Sequence, residues 1–499
     1  MKMNKIYKSL GLLLALSLFS SCYKDHSVNG DHPLAVVKVT EPIASVQTAT
    51  FGEVTVIKSP AYTITTGASV TPSYEWIVDG VVVSTEKDLS YSPTSYGKHD
   101  ARLRMYTPDG SYFYRFTIDV PYRYVDGLYV LASNEGKTIL SYLSGGEKTD
   151  AFDLDAFGRS NPTIDMTGDP QSMFFYRYVP GAGASRSYLG IALGLPTRYY
   201  RLSADSLKVL SPRISFTNPV DFSHASGNQS TVREYFISGA NVWELEKTGN
   251  IPAKKHDRYL SPVAPGYSLA SAIVNWRALT GTRISEGMAF FDNAGSNLLY
   301  MILGSRVTVK KVRTFTASAF PGGAPEETNP FEGMTLIDMK SAGEGNYTYN
   351  YTLLLLKRNS DSKYFVARLR AGDFAGTTTL DGAAVSLVEF TEGTPTHLMP
   401  NLAGTAALVA TADKVYFYNM ANTTATDHPA WISLPSGQTI ASMALTTDNR
   451  LFIGANGTGS GLVGSIYSYD VTGITPQLIK AETGVTGKIK QIIYRQFSR

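Results

Sequence analysis

Along most of the chain, apolar residues either alternate with polar ones or gather in short runs, and no long segment of helical period interrupts the pattern. Tyr112, Tyr114, Phe116, Ile118 and Val120 alternate with Phe113, Arg115, Thr117 and Asp119. A period of two turns one face of a strand inward and the other mostly outward. An Asp109-Gly110 pair precedes that run. Upstream, YEWIVDGVVVSTEKDLSYSP (residues 74–93) sets Asp79-Gly80 between two strand-like runs, a strong local signal for a hairpin. Residues 33–123 therefore predict an immunoglobulin-sized β-sandwich.

From residue 124 onward the pattern repeats diffusely. Apolar runs begin at Leu128 (LYVLA), Tyr188 (YLGIAL), Glu234 (EYFIS), Met288 (MAFF), Tyr351 (YTLLLL), Ala407 (ALVAT) and Leu451 (LFIG). A second, often aromatic run follows each, among them ILSYL at Ile139, YYRL at Tyr199, VYFY at Val415 and IYSY at Ile466. A four-stranded blade takes about 40 to 50 residues, so residues 124–499 predict a β-propeller of about seven blades, with six to eight compatible with the uneven spacing. A pair of β-sandwich domains is the alternative. Either way the fold class is all-β.

The N-terminus departs from this pattern. Lys2, Lys5 and Lys8 precede an apolar segment, Leu10 to Phe19, and the small residues Ser20 and Ser21, which is the layout of a secretory signal. The segment falls short of the roughly 20 apolar residues that span a bilayer. FSSC, ending at Cys22, resembles the lipobox of bacterial lipoproteins, with Phe19 where Leu or Val is usual, a departure like those of the Bacteroidetes phylum. The resemblance implies a signal peptide over 1–21, lipidation of Cys22, and a tether over 22–32. More than one acyl chain, at about 0.8 kcal/mol per buried CH₂, anchors a protein stably. Tyr23, Lys24 and Asp25 weakly resemble the charged signal that sends such lipoproteins to the cell surface.

Composition narrows the function. Cys22 is the only cysteine, which excludes disulfides and cysteine metal sites from the mature chain. The 45 Lys plus Arg nearly balance the 42 Asp plus Glu, so no basic field calls for nucleic acid. The length of 499 residues leaves room for two to four domains.

YEWIVDG also looks like the Tyr-x-Trp-x-x-x-Gly core of PKD domains, with Trp76 as the buried ring and Ile77-Val78 where Phe-Gly is frequent. The order of CYKD, a PKD-like sandwich and a long β-rich region opening with DGLYVLASNEGKTILSYL (residues 126–143) is similar to the PKD-like lipoproteins of Bacteroidetes. That resemblance implies an outer-membrane, outward-facing, non-enzymatic accessory protein. It would work beside a TonB-dependent transporter and its SusD-like lipoprotein, with glycan, glycopeptide or peptide as cargo.

Other motifs carry less. GSGLVG (459–464) matches G-x-G-x-x-G, yet a strand follows it rather than the helix that pyrophosphate binding requires, and it reads as a hairpin loop. His26, His32, His99, His224, His256, His397 and His428 are scattered, with no zinc-binding spacing, and neither His256-Asp257 nor Asp427-His428 reads as a catalytic dyad. No metal or cofactor is expected. Asp153, Asp155 and Asp165 lie near one another, and Glu326-Glu327 fall in a Pro/Gly-rich loop; such carboxylates would serve a propeller glycoside hydrolase or lyase, the alternative to a binding protein. A purely structural subunit is the third reading. DNAGSN (292–297) reads as a turn rather than a calcium loop. Trp243 and Trp431 read as packing residues. Trp276, beside Arg277 and outside an obvious strand pair, is the candidate to stack on a sugar ring or peptide side chain.

Overall fold

The computed structural model describes residues 34–64, 70–145, 152–178, 186–194, 198–210, 214–215, 225–227, 233–238, 241–246, 268–280, 283–302, 308–316, 326–342, 351–370, 380–381, 385–420 and 428–496. The chain divides into two compact units, Met1–Tyr122 and Arg123–Arg499. Strands supply nearly all regular structure, and the described residues include a single short helix, Ala156–Ser160.

In the first unit, five strands form one sheet in the spatial order Val46–Thr48, Gly110–Val120, Gly97–Thr107, Ser73–Val78, Val81–Ser84. Two small sheets, Val37–Glu41 with Ala61–Ile64 and Thr55–Ile57 with Leu89–Tyr91, complete it. Alternation decides what is inside: Gly97–Thr107 buries His99, Ala101, Leu103, Met105 and Thr107. Trp76 is fully buried, meets Phe116 edge-on at 6.1 Å, and donates its indole N–H to the Glu86 carbonyl at 2.9 Å. Val37, Ile57 and Leu89 from the small sheets share that core.

The Asp79-Gly80 hairpin forms because both residues adopt positive φ, 49° and 82°, as a type I′ turn needs. The second expected turn shifts by one residue. Thr107 pairs with Gly110, so Pro108 and Asp109 make the turn and Gly110 opens the next strand. The Asp109 carboxylate is thereby free to accept from the Ala35 amide at 2.9 Å.

Asp79 also holds His99. Its carboxylate accepts from the Asp100 amide at 3.0 Å and lies 2.6 Å from His99 Nδ1, while His99 Nε2 lies 3.1 Å from the Ser95 carbonyl. Both ring nitrogens face acceptors, a pairing that only the imidazolium satisfies in full. The bond to Asp79 outweighs burial and raises the His99 pKa above its ordinary value. The resulting stabilisation is fully present below the unfolded-state value of about 6.5 and is lost as pH rises through the folded-state value. Denaturant unfolding of the chain should therefore show the first unit weakening across that window. His99→Gln should flatten the profile; an unchanged profile would place the titrating group elsewhere.

The second unit is built as a ring. Its first strand, Gly127–Asn134, lies between Lys137–Ser144 and the last strand of the chain, Lys488–Arg495. Between these ends, meandering antiparallel sheets follow one another over residues 169–215, 225–246, 269–311, 334–390, 397–433 and 439–486. The opening strand of each sheet touches the opening strand of the next, and Lys488–Arg495 touches both Thr439–Leu445 and Asp169–Tyr178. The contacts close a cycle, which is the arrangement of a β-propeller.

Packing between sheets explains the continuous apolar runs. In Tyr351–Arg358, Leu354 and Leu356 belong to the cluster shared with the preceding sheet, while Leu353 and Leu355 belong to the cluster shared with the following one. A strand covered on both faces has no polar face to alternate with.

Closure is reinforced by a buried cation. Arg495, 8 % exposed, donates to the Tyr124 and Ala204 carbonyls at 2.9 Å each and to Asp205 at 2.5 Å. Tyr129 donates to the same two carbonyls, at 2.6 and 3.2 Å, and burial drives its phenol pKa well up. At the start of the closing strand, a Cβ on Gly487 would collide with the Ser133 carbonyl, so only glycine lets the last strand approach the first. Arg495→Ala should cost on the order of 3 kcal/mol, because it strips Asp205 of its ion pair and leaves the two carbonyls only the single Tyr129 hydroxyl proton to share. Urea titration of the full chain measures this, and a loss below about 1 kcal/mol would mean that water replaces the guanidinium.

Candidate functional site

The inner strands share a departure from regular pairing. Each of four carries one extra residue near its starting end: Gln171, Ile337, Ala441 and Lys490 have no partner on the neighbouring strand. The register of Leu269–Thr280 also shifts, between Leu269 and Ile273. Such bulges re-aim the side chains that follow them.

Here the residue directly after the bulge reaches across to the next blade. Asp338 Oδ2 accepts from the Leu398 amide at 2.9 Å, Ser442 Oγ from the Ile492 amide at 3.1 Å, and Gln491 Oε1 from the Met173 amide at 2.7 Å. Ser172 holds the equivalent place on its strand, and its buried hydroxyl has no partner among the described residues. Inner strands of neighbouring blades are too far apart in angle to form a ladder. These side chains satisfy amides that a ladder would otherwise take.

Three of these strands supply groups around His397, which opens His397–Pro400 and is half-buried. From Met334–Ala342 come Asp338 and Lys340, paired at 2.9 Å. Asp338 is largely used up, since Oδ1 also accepts from the Met339 amide at 2.8 Å. From Thr439–Leu445 comes the Ala441 backbone, hydrogen-bonded to the imidazole, and from Lys488–Arg495 comes the charge of Lys490. His397 Nδ1 lies 2.9 Å from Thr396 Oγ1, which is itself within 3.2 Å of the Ala410 and Thr411 carbonyls. Burial first, then the ammonium charges of Lys340 and Lys490, push the imidazole below the ordinary histidine range; Asp338 and the Ala441 bond act in the opposite direction. The result is a basic inner rim with a neutral imidazole at its centre, an arrangement suited to holding an anion and moving a proton as it does so.

The residues singled out from sequence lie elsewhere. Cys22 falls outside the described residues, as do His26, His32, His224, His256 and Asp427. Trp276 and Arg277, expected outside a strand pair, are inside one: Leu269–Thr280 pairs with Arg283–Asp292, with Trp276 opposite Gly287 and Arg277 opposite Glu286. Polar and charged residues interrupt the apolar ones along both strands, in NWRALT (275–280) and RISEG (283–287), which hid the pairing. Glu326 and Glu327, expected in a loop, lie in a short strand paired with Thr314–Thr316.

The three aspartates do not converge on one another. Buried Asp153 pairs with Arg159 at 3.3 Å and Arg123 at 3.7 Å, Asp155 caps the helix by accepting from the Gly158 amide, and exposed Asp165 faces Lys137 at 3.6 Å. Asp292 accepts from the amides of Ser268, Ala294 and Gly295, so DNAGSN is a turn closed by its own carboxylate. GSGLVG connects the strands Arg450–Asn456 and Gly464–Asp470, with Gly459 and Gly461 at positive φ. Trp431 packs on Phe417 and donates to the Ile474 carbonyl at 2.7 Å. Among the described residues, no group of three or more His, Cys, Asp and Glu is placed to hold a metal ion.

Sequence reading missed the rim because its members, Asp338, Lys340, His397 and Lys490, come from distant strands with nothing local to mark them. A polar residue inside an otherwise apolar inner strand was the one available signal, visible in LIDMK (336–340) and KIKQII (488–493).

No family model and no curated protein matches the chain. Among solved structures it is similar to a quinoprotein alcohol dehydrogenase-like protein from Bacteroides thetaiotaomicron, at 12% identity and a TM-score of 0.45, covering 92% of this chain and 99% of that one. It is also similar to a protein of unknown function from Bacteroides caccae, at 12% identity and a TM-score of 0.33, covering 60% and 95%. The Dos1 propeller aligns at 11% identity and a TM-score of 0.39, covering 74% and 89%. The assignment to the propeller class stands on the chain's own strand pairing.

Asp338 offers a direct test of the stitching. Asp338→Leu strips an acceptor from the Leu398 and Met339 amides and should cost about 2–3 kcal/mol, whereas Asp338→Asn keeps one oxygen and should cost about half as much or less. Equal losses in urea denaturation would show that charge, not the amide contacts, is what matters.

Proposed function

We propose that this chain is an outer-membrane lipoprotein that displays a seven-bladed propeller at the cell exterior, as a non-enzymatic ligand-capture subunit of a TonB-dependent, SusC/SusD-type uptake system. The observation that carries the reading is the joining of two features in one chain: a lipobox-like FSSC at Cys22, and a ring whose ends are tied to each other. A lipid anchor holds the protein at a surface. No helix among the described residues is long and apolar enough to cross a membrane, which is consistent with attachment from one side. The first unit, read as a PKD-like sandwich around Trp76, serves as a spacer.

The inner strands of the cycle, one from each of six sheets and one from the chain's end, support the reading of seven blades. A ring stitched blade to blade moves little when loops at its ends engage a glycan or peptide, so binding loses little to reorganisation. Trp276 and Arg277, late in an inner strand of the ring, are read as a ligand contact at the end opposite to the His397 rim.

Cys22→Ala should move the protein from the membrane fraction to the soluble one, and surface protease should digest the wild-type protein on intact cells. A tagged wild-type protein should co-purify with a TonB-dependent transporter and a SusD-like lipoprotein. Membrane association that survives Cys22→Ala, or purification without those partners under every nutrient tried, would overturn the reading.

A further inference from the structure

We propose that the inner rim formed by Lys340, His397 and Lys490 binds an oxyanion, a carboxylate or sulfate group, and takes up a proton on His397 as it does so. This inference concerns the ring alone and does not depend on membrane anchoring or on any uptake partner.

Three observations carry it. The first is the surplus of positive charge: Lys340, Lys488 and Lys490 lie on neighbouring or next-neighbouring strands around His397, and the nearby carboxylate, Asp338, already accepts from two backbone amides and Lys340. Exposed Asp169 begins the adjoining strand, yet the charges acting on His397 are those of Asp338, Lys340 and Lys490. The strands Thr439–Leu445 and Ala406–Ala410, which also pack on its strand, present no ionisable side chain, and Tyr351–Arg358, which packs there too, carries Tyr351, Lys357 and Arg358, the last paired with Asp361. The second is the backbone. Lys490 is the extra residue of its bulge, so it is exempt from the strand's ladder and its exposed side chain points as the bulge dictates.

The third is the hydrogen bonding of His397 itself. A hydroxyl has one proton, and Thr396 Oγ1 is within 3.2 Å of two carbonyls, so its proton goes to one of them and a lone pair is left for His397 Nδ1. The Ala441 backbone also favours the charged ring, while burial and two ammonium groups oppose that charge. An oxyanion among the three basic groups reverses the balance: it neutralises the lysines' repulsion and makes the imidazolium the favoured form. The proton comes from solvent, and no bond other than N–H is made or broken. Affinity therefore rises as pH falls through the His397 pKa in the bound state.

The test is an NMR titration of the histidine ring resonances in the full chain, in sodium sulfate, in sodium glucuronate, and in sodium chloride at matched ionic strength. His397→Gln assigns the resonance, and His99, in the other unit, is the internal control. The His397 pKa should rise by at least about half a unit in sulfate, glucuronate or both, saturably, with His99 unmoved. A response to sulfate alone would name sulfate esters as the ligand class, and a response to glucuronate alone would name carboxylates. Lys340→Gln and Lys490→Gln should each raise the anion's half-saturating concentration about threefold or more, with melting temperature checked to confirm folding. Identical His397 titration in all three salts, or a response unchanged in both lysine variants, would overturn the proposal.

Discussion

The fold of the second unit depends on one pairing, that of Gly127–Asn134 with Lys488–Arg495. The six sheets between the unit's ends are each built from strands that pair in chain order and could form largely locally. Only this pairing joins the two ends, and without it the sheets would form an open arc with exposed edges and uncovered apolar faces. Leu128 and Val130 illustrate the dependence, since the cluster that buries them is completed by Ile489 and Ile492. The pairing also has a high entropic cost, because it closes a loop of nearly the whole unit. The buried Arg495 and the close approach at Gly487 are concentrated where that cost must be offset.

The same geometry that closes the ring creates the rim. Inner strands splay from one another, so amides near the axis lack ladder partners, and bulges bring Asp338, Ser442 and Gln491 into position to accept from them. Polar side chains are therefore required at the axis for structural reasons. Once they are there, Lys340, His397 and Lys490 meet from different blades, and a stability device becomes a place where a ligand can be held. The two roles fall on different residues: Asp338 is engaged by backbone amides, whereas the basic groups are Lys340, His397 and Lys490.

The two histidines described most fully illustrate how surroundings set a titrating group. His99 has acceptors at both ring nitrogens, and His397 has Thr396 Oγ1 at Nδ1. His99 has a carboxylate against its ring and is held toward the charged form; burial, with two ammonium groups nearby, holds His397 toward the neutral one. Nothing in the sequences flanking them, GKHDA and PTHLM, distinguishes these outcomes.

Much of the fold was legible along the chain. Alternation in 112–120 and the Asp79-Gly80 pair follow from local rules, since a strand's period and a turn's φ values are set by a few adjacent residues. Runs such as YTLLLL were legible as strands because burial on both faces demands unbroken apolarity. Local rules were not sufficient at Trp276, where polar residues interrupt the apolar pattern of a paired strand, or at Pro108-Asp109, where the turn sits one residue early. By itself the sequence determined the all-β class, the lone Cys22 and the repeating sheets, all of which depend on neighbours in the chain. The tertiary structure alone decided that residue 131 pairs with residue 491, and that positions 338, 340, 397 and 490 share one rim. Those relations arise from closing a ring over hundreds of residues, and separation in sequence carries no record of proximity around an axis.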